Sequence, residues 1–282
     1  VAKLMSIYIE GFRNVPVLLW IVMIFALLTE FTPAPKAFKG ADPQATMLLF
    51  DSIAVTNRGT YFPAPIFGEG SFWLLLSFIL SVLIVFFIKQ FANKQKKETG
   101  KSLPTFWISI LIIILPTLGL YFLIGKPISL EYPYLKGFNF KDGIHLRNSF
   151  LALTLALALY TSAFIAEIVR AGILAISKGQ TEAAASLGLR PNKIMNLIIL
   201  PQALRIIVPP LISNYLNLTK NSSLAIAVGY MDVRGTLGGI TLNQTGRELE
   251  SMLLLMGFYL CVSLLISSVI NYYNRSFQIV VR

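Results

Sequence analysis

The sequence predicts an all-α, polytopic transmembrane helical bundle with about six spans in its 282 residues. Three observations carry that prediction. Hydrophobic residues make up 55% of the chain and charged residues only 13%, against about 25% charged in an ordinary soluble domain; mean hydropathy is +0.70. Several apolar runs reach the length of about 20 residues that a helix needs to cross the hydrocarbon of a bilayer. The runs are continuous rather than alternating, which selects helices over a closed barrel, the two structures that satisfy every backbone group in lipid.

Taken in order, Val1 to Arg13 is amphipathic, with Lys3, Glu10 and Arg13 among apolar residues. Asn14-Val15-Pro16 opens the first span, which runs to about Phe31. Pro16 suits a first helical turn, where its missing N–H costs little. Residues 33–70 read as a mixed loop with five prolines. The second span covers about Ser71 to Ile88 and ends in a basic knot of Lys89, Lys94, Lys96, Lys97 and Lys101, opposed only by Glu98. The third runs from about Thr105 to Ile124, with Pro116 as a tolerated kink. A second mixed loop, 125–146, precedes the fourth span, from about Arg147 to Ile176. The fifth begins near Leu204, is disturbed at Pro209-Pro210 and is interrupted near Thr219-Lys220-Asn221. A glycine-rich loop, 229–247, leads to the sixth, about Glu250 to Tyr272, and a tail ends at Arg282.

The net charge of +11 is a topology signal. Six spans put both chain ends on one side, and excess Lys/Arg marks the cytoplasmic side. The starting segment, the 89–101 knot, the 177–205 loop and the tail, with Glu167 and Arg170, collect fourteen Lys/Arg against four acids. The opposite side collects nine of each, and Lys220 lies inside the fifth span. A nucleic-acid role has no support. The single cysteine, Cys261, sits in an apolar run and is expected to serve packing. Charge within three residues of Val1 and the lack of an initiator methionine point to further sequence upstream.

Catalytic signatures are missing. A P-loop needs Gly, four residues, then Gly-Lys-Ser/Thr; Gly100-Lys101-Ser102 has Gln95 at the first glycine position, and Gly125-Lys126 is followed by Pro127. No paired-Cys or H-E-x-x-H metal site exists. The lone histidine, His145, stands at a loop end beside Arg147 and reads as a surface residue.

Three polar features remain. Glu167 and Arg170 are three apart on the fourth span, hence on one helical face. They fit either a mutual ion pair near the cytoplasmic end or a role in a path or gate. Thr219-Lys220-Asn221-Ser222-Ser223 fits either a broken helix lining a cavity or a hydrogen-bond cluster between helices, with Lys220 paired to Glu167. In the first case a new helix near Ser222 would turn free N–H groups toward a carboxylate.

The third feature organises the rest. Glu182-Ala183-Ala184 is followed after three residues by Gly188, after nine more by Ile198, then by Leu200-Pro201 and Ala203. Glu182 to Leu187 suits a short helix, with Gly188 as the glycine just past its end. A second short helix is expected from about Asn192 to Leu200, stopped by Pro201. Read alone, this is a hairpin between membrane helices whose alanine face permits close approach by another protein.

The spacing resembles the loop signature of ABC importer permeases at every one of these positions. Tyr160 to Arg170, Phe12-Arg13-Asn14, the run Leu216 to Ala225 and Thr241 to Gly246 look like the polar amino-acid permeases, in particular the general L-amino-acid subgroup. The resemblance covers about 1–32 and 147–282, leaves 33–146 as a two-helix insertion with two periplasmic loops, and lacks the family's span before Tyr8. It implies a single permease domain over 1–282, with a type I importer (MetI-like) core in the bacterial inner membrane. Coupling to ATP hydrolysis would fall to Glu182, Ala183, Ala184, Gly188, Leu200 and Pro201, and a substrate path to Lys220, Asn221, Ser222, Ser223, Glu167 and Arg170. Implied partners are a second permease subunit, a cytoplasmic ATPase dimer that binds ATP and Mg, a periplasmic amino-acid-binding protein, the amino acid and membrane lipid. An ion-gradient-driven transporter or channel, or a structural anchor of a complex, is the alternative reading, and neither accounts for the loop spacing.

Overall fold

A computed structural model describes residues 2–40, 43–99 and 104–277. Val1, the Gly100-Lys101-Ser102 fragment and the tail to Arg282 lie outside the described residues. Helix α1 (Ala2–Asn14) leads into α2 (Val17–Glu30). The one-turn α3 (Leu48–Asp51) and strands β1 (Ala54–Thr56), β2 (Gly59–Phe62) and β3 (Ala64–Phe67) precede the long α4 (Ser71–Thr99). Helix α5 (Thr105–Leu123) follows, then β4 (Ile128–Glu131), β5 (Tyr134–Lys136), β6 (Asn139–Lys141) and β7 (Ile144–Leu146). Next come α6 (Asn148–Leu174), α7 (Lys178–Ser186) and α8 (Pro191–Ile194). A π turn at Met195–Ile199 joins α8 to α9 (Leu200–Asn221), which a 3₁₀ stretch, Ser222–Val228, prolongs. Short α10 (Val233–Gly235), a π turn at Thr236–Thr241 and α11 (Leu242–Thr245) lead to α12 (Glu248–Phe277).

Six helices among the described residues are long and apolar enough to cross a membrane, in the order expected. The 33–70 and 125–146 loops differ from expectation, since they hold seven short strands. Each has only three or four residues, too few for an alternating pattern to stand out. β2 lies between β1 and β7 in a three-stranded sheet, while β3–β4 and β5–β6 form two antiparallel ribbons. The β5–β6 turn is tight, with Gly137 at φ +69°.

The chain divides into two compact units. The first comprises Val1–Ala34, Thr56–Gly59 and Leu146–Arg282. Its core joins Val17 and Ile21 of α2, Leu153, Ala156 and Leu157 of α6, and Ala225 and Val228 of the 3₁₀ stretch. Helix α6 is the hub, packing on α1, α2 and α9. Its buried small residues Ala152, Ala156, Ala163 and Gly172 let neighbouring backbones come close. At Gly172 a Cβ would collide with Ile207 Cγ1 of α9, so this glycine is dictated by contact. Asn148, at the start of α6, is buried and donates to the Leu28 carbonyl at the end of α2 (3.1 Å) and to that of Thr56 (3.3 Å). It thereby satisfies a helix-end carbonyl that has no partner inside its own helix.

The second unit comprises Pro35–Val55 and Thr60–His145. Helices α4 and α5 pack on each other, with Pro116 inside an unbroken α5. At one end of this pair Ser71 Oγ donates to the carbonyls of Gly68 and Pro127. A small core of Ala54, Tyr61 and Phe140 is edged by Phe38, Met47 and Leu135. His145 is exposed and stacks on Tyr61 at 4.3 Å, as a surface histidine would. Cys261 of α12 is exposed rather than packed, because apolar α12 residues such as Leu253 and Leu260 also face outward. Outward apolar side chains are what a span offers to lipid or to another span.

Candidate functional site

The loop after α6 is built from local backbone chemistry. Ser177 caps α7, its hydroxyl accepting from the Gly179 N–H at 3.3 Å. The helix therefore starts at Lys178, four residues before the expected Glu182, because the serine cap was not recognised in the sequence. It ends as expected. Gly188 sits at φ +76°; its N–H donates to the Ala185 carbonyl (2.9 Å) and that of Leu189 to Ala184 (3.3 Å). This pair of bonds is the Schellman closure, with Leu189 packed on the cluster of Ala184, Ile194 and Ile199. Nothing lies within 4 Å of a Cβ built on Gly188, so the left-handed backbone alone demands glycine here. Ala184 is buried against Ile194 and Ile199, while Glu182, Ala183 and Ser186 are exposed. The signature thus has an inward anchor and an outward, flat face.

The second half of the signature departs from expectation. Pro201 does not stop a helix; the path from Pro191 to Val228 is continuous over 38 residues. The π turn at Met195–Ile199 places Pro201 in the first turn of α9, where a missing N–H is cheap. Leu200 and Pro201 are exposed, and Ala203 is fully buried against α6 beside Gly172. Pro209 and Pro210 are likewise carried inside α9.

No free helix N-terminus opens at Ser222, where α9 passes into the 3₁₀ stretch. The Ser222 N–H bonds to the Leu218 carbonyl, and the path ends only at Gly229, φ +68°. That N–H, expected to be free, is spent. The hydroxyls turn back as well: Thr219 to Tyr215 O (3.0 Å), Ser222 to Thr219 O (2.7 Å) and Ser223 to Lys220 O (2.7 Å). Such back-bonding lets short polar side chains stay in a helix without breaking it. Lys220 is exposed and is not paired with Glu167.

Glu167 is held by Arg170 through two bonds, Nε to Oε2 at 2.9 Å and Nη2 to Oε1 at 2.6 Å. Arg13 of α1 approaches the same carboxylate at 4.0 Å and lies over the Phe164 ring. Nearby, Tyr8 OH donates to the Leu159 carbonyl. Of the two readings for Glu167 and Arg170, the geometry is the mutual pair, with α1 tied to it.

A feature not singled out in the sequence lies alongside. Tyr160, Thr161 and Phe164 of α6 face Asn214, Asn217 and Asn221 of α9 across a cavity of about 300 Å³. The asparagines stand at i, i+3 and i+7, one face of a helix, and that spacing was the available signal. Asn214 Nδ2 donates to the Pro210 carbonyl (3.1 Å). The amides of Asn217 and Asn221 make no hydrogen bond among the described residues. Of the six residues expected on the path, Asn221 lines this cavity, while Lys220, Ser222 and Ser223 adjoin it along the chain.

The family described as binding-protein-dependent transport system inner membrane component matches residues 98–278. The chain belongs to this family. That inner membrane component is a multi-pass membrane protein, and the matched stretch includes the loop, the cavity and α5. The glutamate/glutamine/aspartate/asparagine transport system permease protein BztB of Rhodobacter capsulatus is 52% identical over 99% of the chain and 70% of its own length. The putative amino-acid ABC transporter permease protein YhdX of Escherichia coli is 44% identical over 99% of the chain and 69% of its own. The general L-amino acid transport system permease protein AapQ of Rhizobium johnstonii is 39% identical over 100% of the chain and 68% of its own.

Proposed function

We propose that this chain is the membrane-spanning subunit of a binding-protein-dependent importer that carries L-amino acids, driven by a separate ATPase through the 177–205 loop. The observation that supports it most is similarity to amino-acid permeases over essentially the whole chain, at up to 52% identity. The loop, the basic knot and both ends face the cytoplasm in this reading, in accord with their excess of Lys/Arg. Glu182, Ala183, Gly188, Leu200 and Pro201 offer the ATPase a rigid surface, and Ala184 anchors that surface to the helix behind it. ATP and Mg²⁺ stay with the ATPase. A second permease subunit covers outward apolar surface, and a periplasmic binding protein hands over the amino acid.

The substrate path runs along α9. Asn221 and Asn217 offer unspent amide donors and acceptors, and Lys220 a cation for a carboxylate. Ser222 and Ser223 keep acceptor lone pairs, their protons being committed to the helix. The Glu167–Arg170 pair with Arg13 stands at the cytoplasmic end of this path, on the helix that supports it.

The test is uptake into proteoliposomes holding the permease pair and the ATPase, with the binding protein outside. Uptake should require ATP inside and survive a proton ionophore. Uptake that persists without ATP and collapses with the proton gradient would overturn the reading. Binding of non-transport enzymes with no substrate dependence would make the chain an anchor.

A further inference from the structure

The far end of α4 serves neither the loop nor the path. This helix has 29 residues, which makes it about 43 Å long at 1.5 Å per residue, against about 30 Å of hydrocarbon in a bilayer. Its apolar stretch, Ser71 to Ile88, accounts for about 27 Å, so the residues after it must leave the hydrocarbon. Lys89, Lys94 and Lys96 stand on this emerging end, and all three are exposed. Lys94 and Lys96 lie about 7.5 and 10.5 Å beyond Lys89 along the axis, at the depth of a headgroup layer about 5–8 Å thick. Side chains of a helix lean toward its N-terminus. On α4 that is back toward the bilayer, which brings the ammonium groups to the phosphates. The acid among them, Glu98, meets Lys94 at 4.0 Å in an exposed i,i+4 pair, weak enough for another anion to displace it. Aromatic rings stand beside the cations. Phe87 and Phe91, on either side of Lys89, are 64% and 65% exposed, and Phe106 and Trp107 open α5 equally bare.

We infer that this end of the α4–α5 pair binds the headgroups of anionic phospholipids in the cytoplasmic leaflet. The ammonium groups of Lys89, Lys94 and Lys96 take phosphate oxygens, and the exposed rings sit at the boundary between headgroups and acyl chains. The inference takes from the proposed function only the side on which the basic knot lies. Three features favour a lipid. The cations begin where the apolar stretch ends, the position at which basic clusters meet an anionic leaflet. Exposed aromatics at the same level are the usual interfacial anchors of a span. The cations are also strung along one helix rather than gathered in a pocket, which matches a layer of headgroups better than a compact soluble anion. Each cation close to an anionic surface is worth about fivefold in affinity, less as salt screens it.

The experiment reads tryptophan fluorescence from the assembled permease pair in vesicles that mix phosphatidylglycerol with phosphatidylcholine, one of the two brominated on its acyl chains. The part of the quenching that disappears with Trp107→Phe belongs to this end of the pair. From that part, phosphatidylglycerol should prove to bind about tenfold or more tighter than phosphatidylcholine. The triple variant Lys89→Gln, Lys94→Gln, Lys96→Gln should lower the ratio to about threefold or less, while Lys89→Arg, Lys94→Arg, Lys96→Arg keeps it. Raising salt from about 0.05 to about 0.5 M should also shrink the ratio in the parent protein, which reads the same charge dependence even where the triple variant fails to insert. A ratio near one in the parent, a ratio that the inserted glutamine variant leaves unchanged, or a ratio indifferent to salt overturns the inference. Loss of the preference on adding the ATPase, with weaker ATPase retention by the glutamine variant, assigns the cations to a protein partner and overturns it too. Uptake does not enter the readout, so this test and that of the proposed function fail separately.

Discussion

The 177–201 loop and the 214–223 stretch are both polar interruptions of oily helices, yet they handle polarity in opposite ways. The loop uses its special residues on the backbone. Ser177 caps a helix, Gly188 takes a left-handed φ, and the outward Glu182 and Ala183 are left for something else. In the second stretch the hydroxyls are absorbed by the helix's own carbonyls. What remains available is the set of side chains too long or too amply furnished to be absorbed, Asn217, Lys220 and Asn221. Polar content alone therefore does not locate a binding group; the polar atoms left over after the local backbone has taken its share do.

The largest effect expected from this contrast is at the loop. Gly188→Val forces a β-branched residue into left-handed φ, at a cost of about 1–2 kcal/mol or more. With no neighbour to clash, the protein should insert normally, while uptake falls sharply and ATP hydrolysis continues. Normal uptake in proteoliposomes would show that the rigid end of α7 is unnecessary. Next in size is Gly172→Leu, where crowding against Ile207 should cost about 1–3 kcal/mol. Thermal unfolding of the purified variant should reveal the loss, and Ile207→Ala should restore part of it. If the double variant is no better than the single one, the α6–α9 contact is not what dictates this glycine.

Smaller effects separate the leftover groups from the absorbed ones. Asn217→Ala, Asn221→Ala and Lys220→Ala should each raise the KM for uptake severalfold. Ser222→Ala should change it little, since its proton serves the helix. Equal effects from serine and asparagines would erase the distinction drawn between the two kinds of polar residue. The least change is expected from Glu167→Gln, because a partly exposed ion pair adds little to stability. A marked fall in the unfolding temperature would instead mean that Arg13 and α1 depend on that carboxylate.

Much of the fold was legible because it follows from hydrophobic runs. All six spans were readable from length and composition, and the glycine at 188 from its place after a run of helix formers. The errors along α9 share one cause. Pro201, Pro209-Pro210 and the 219–223 run were read as breaks, as they would be in water. In a membrane helix there is no competing solvent, so carbonyls freed by proline find π turns or side chains, and hydroxyls fold back rather than open the helix. The short strands between spans were invisible because runs such as Ala54-Val55-Thr56 are no longer than chance would supply. The asparagine row was missed for a different reason: its members are spread over two helical turns, so no short motif holds them together.

One continuous helix has a mechanical corollary. From Pro191 to Asn221 is about 46 Å at 1.5 Å per residue, with the single π turn at Met195–Ile199 as its only widened coil before Asn221. Pro209 and Pro210, which remove two backbone N–H donors inside α9, make a second place where such a rod can bend. A shift at the loop would reach the asparagine row through two compliant points, Met195–Ile199 and Pro209-Pro210.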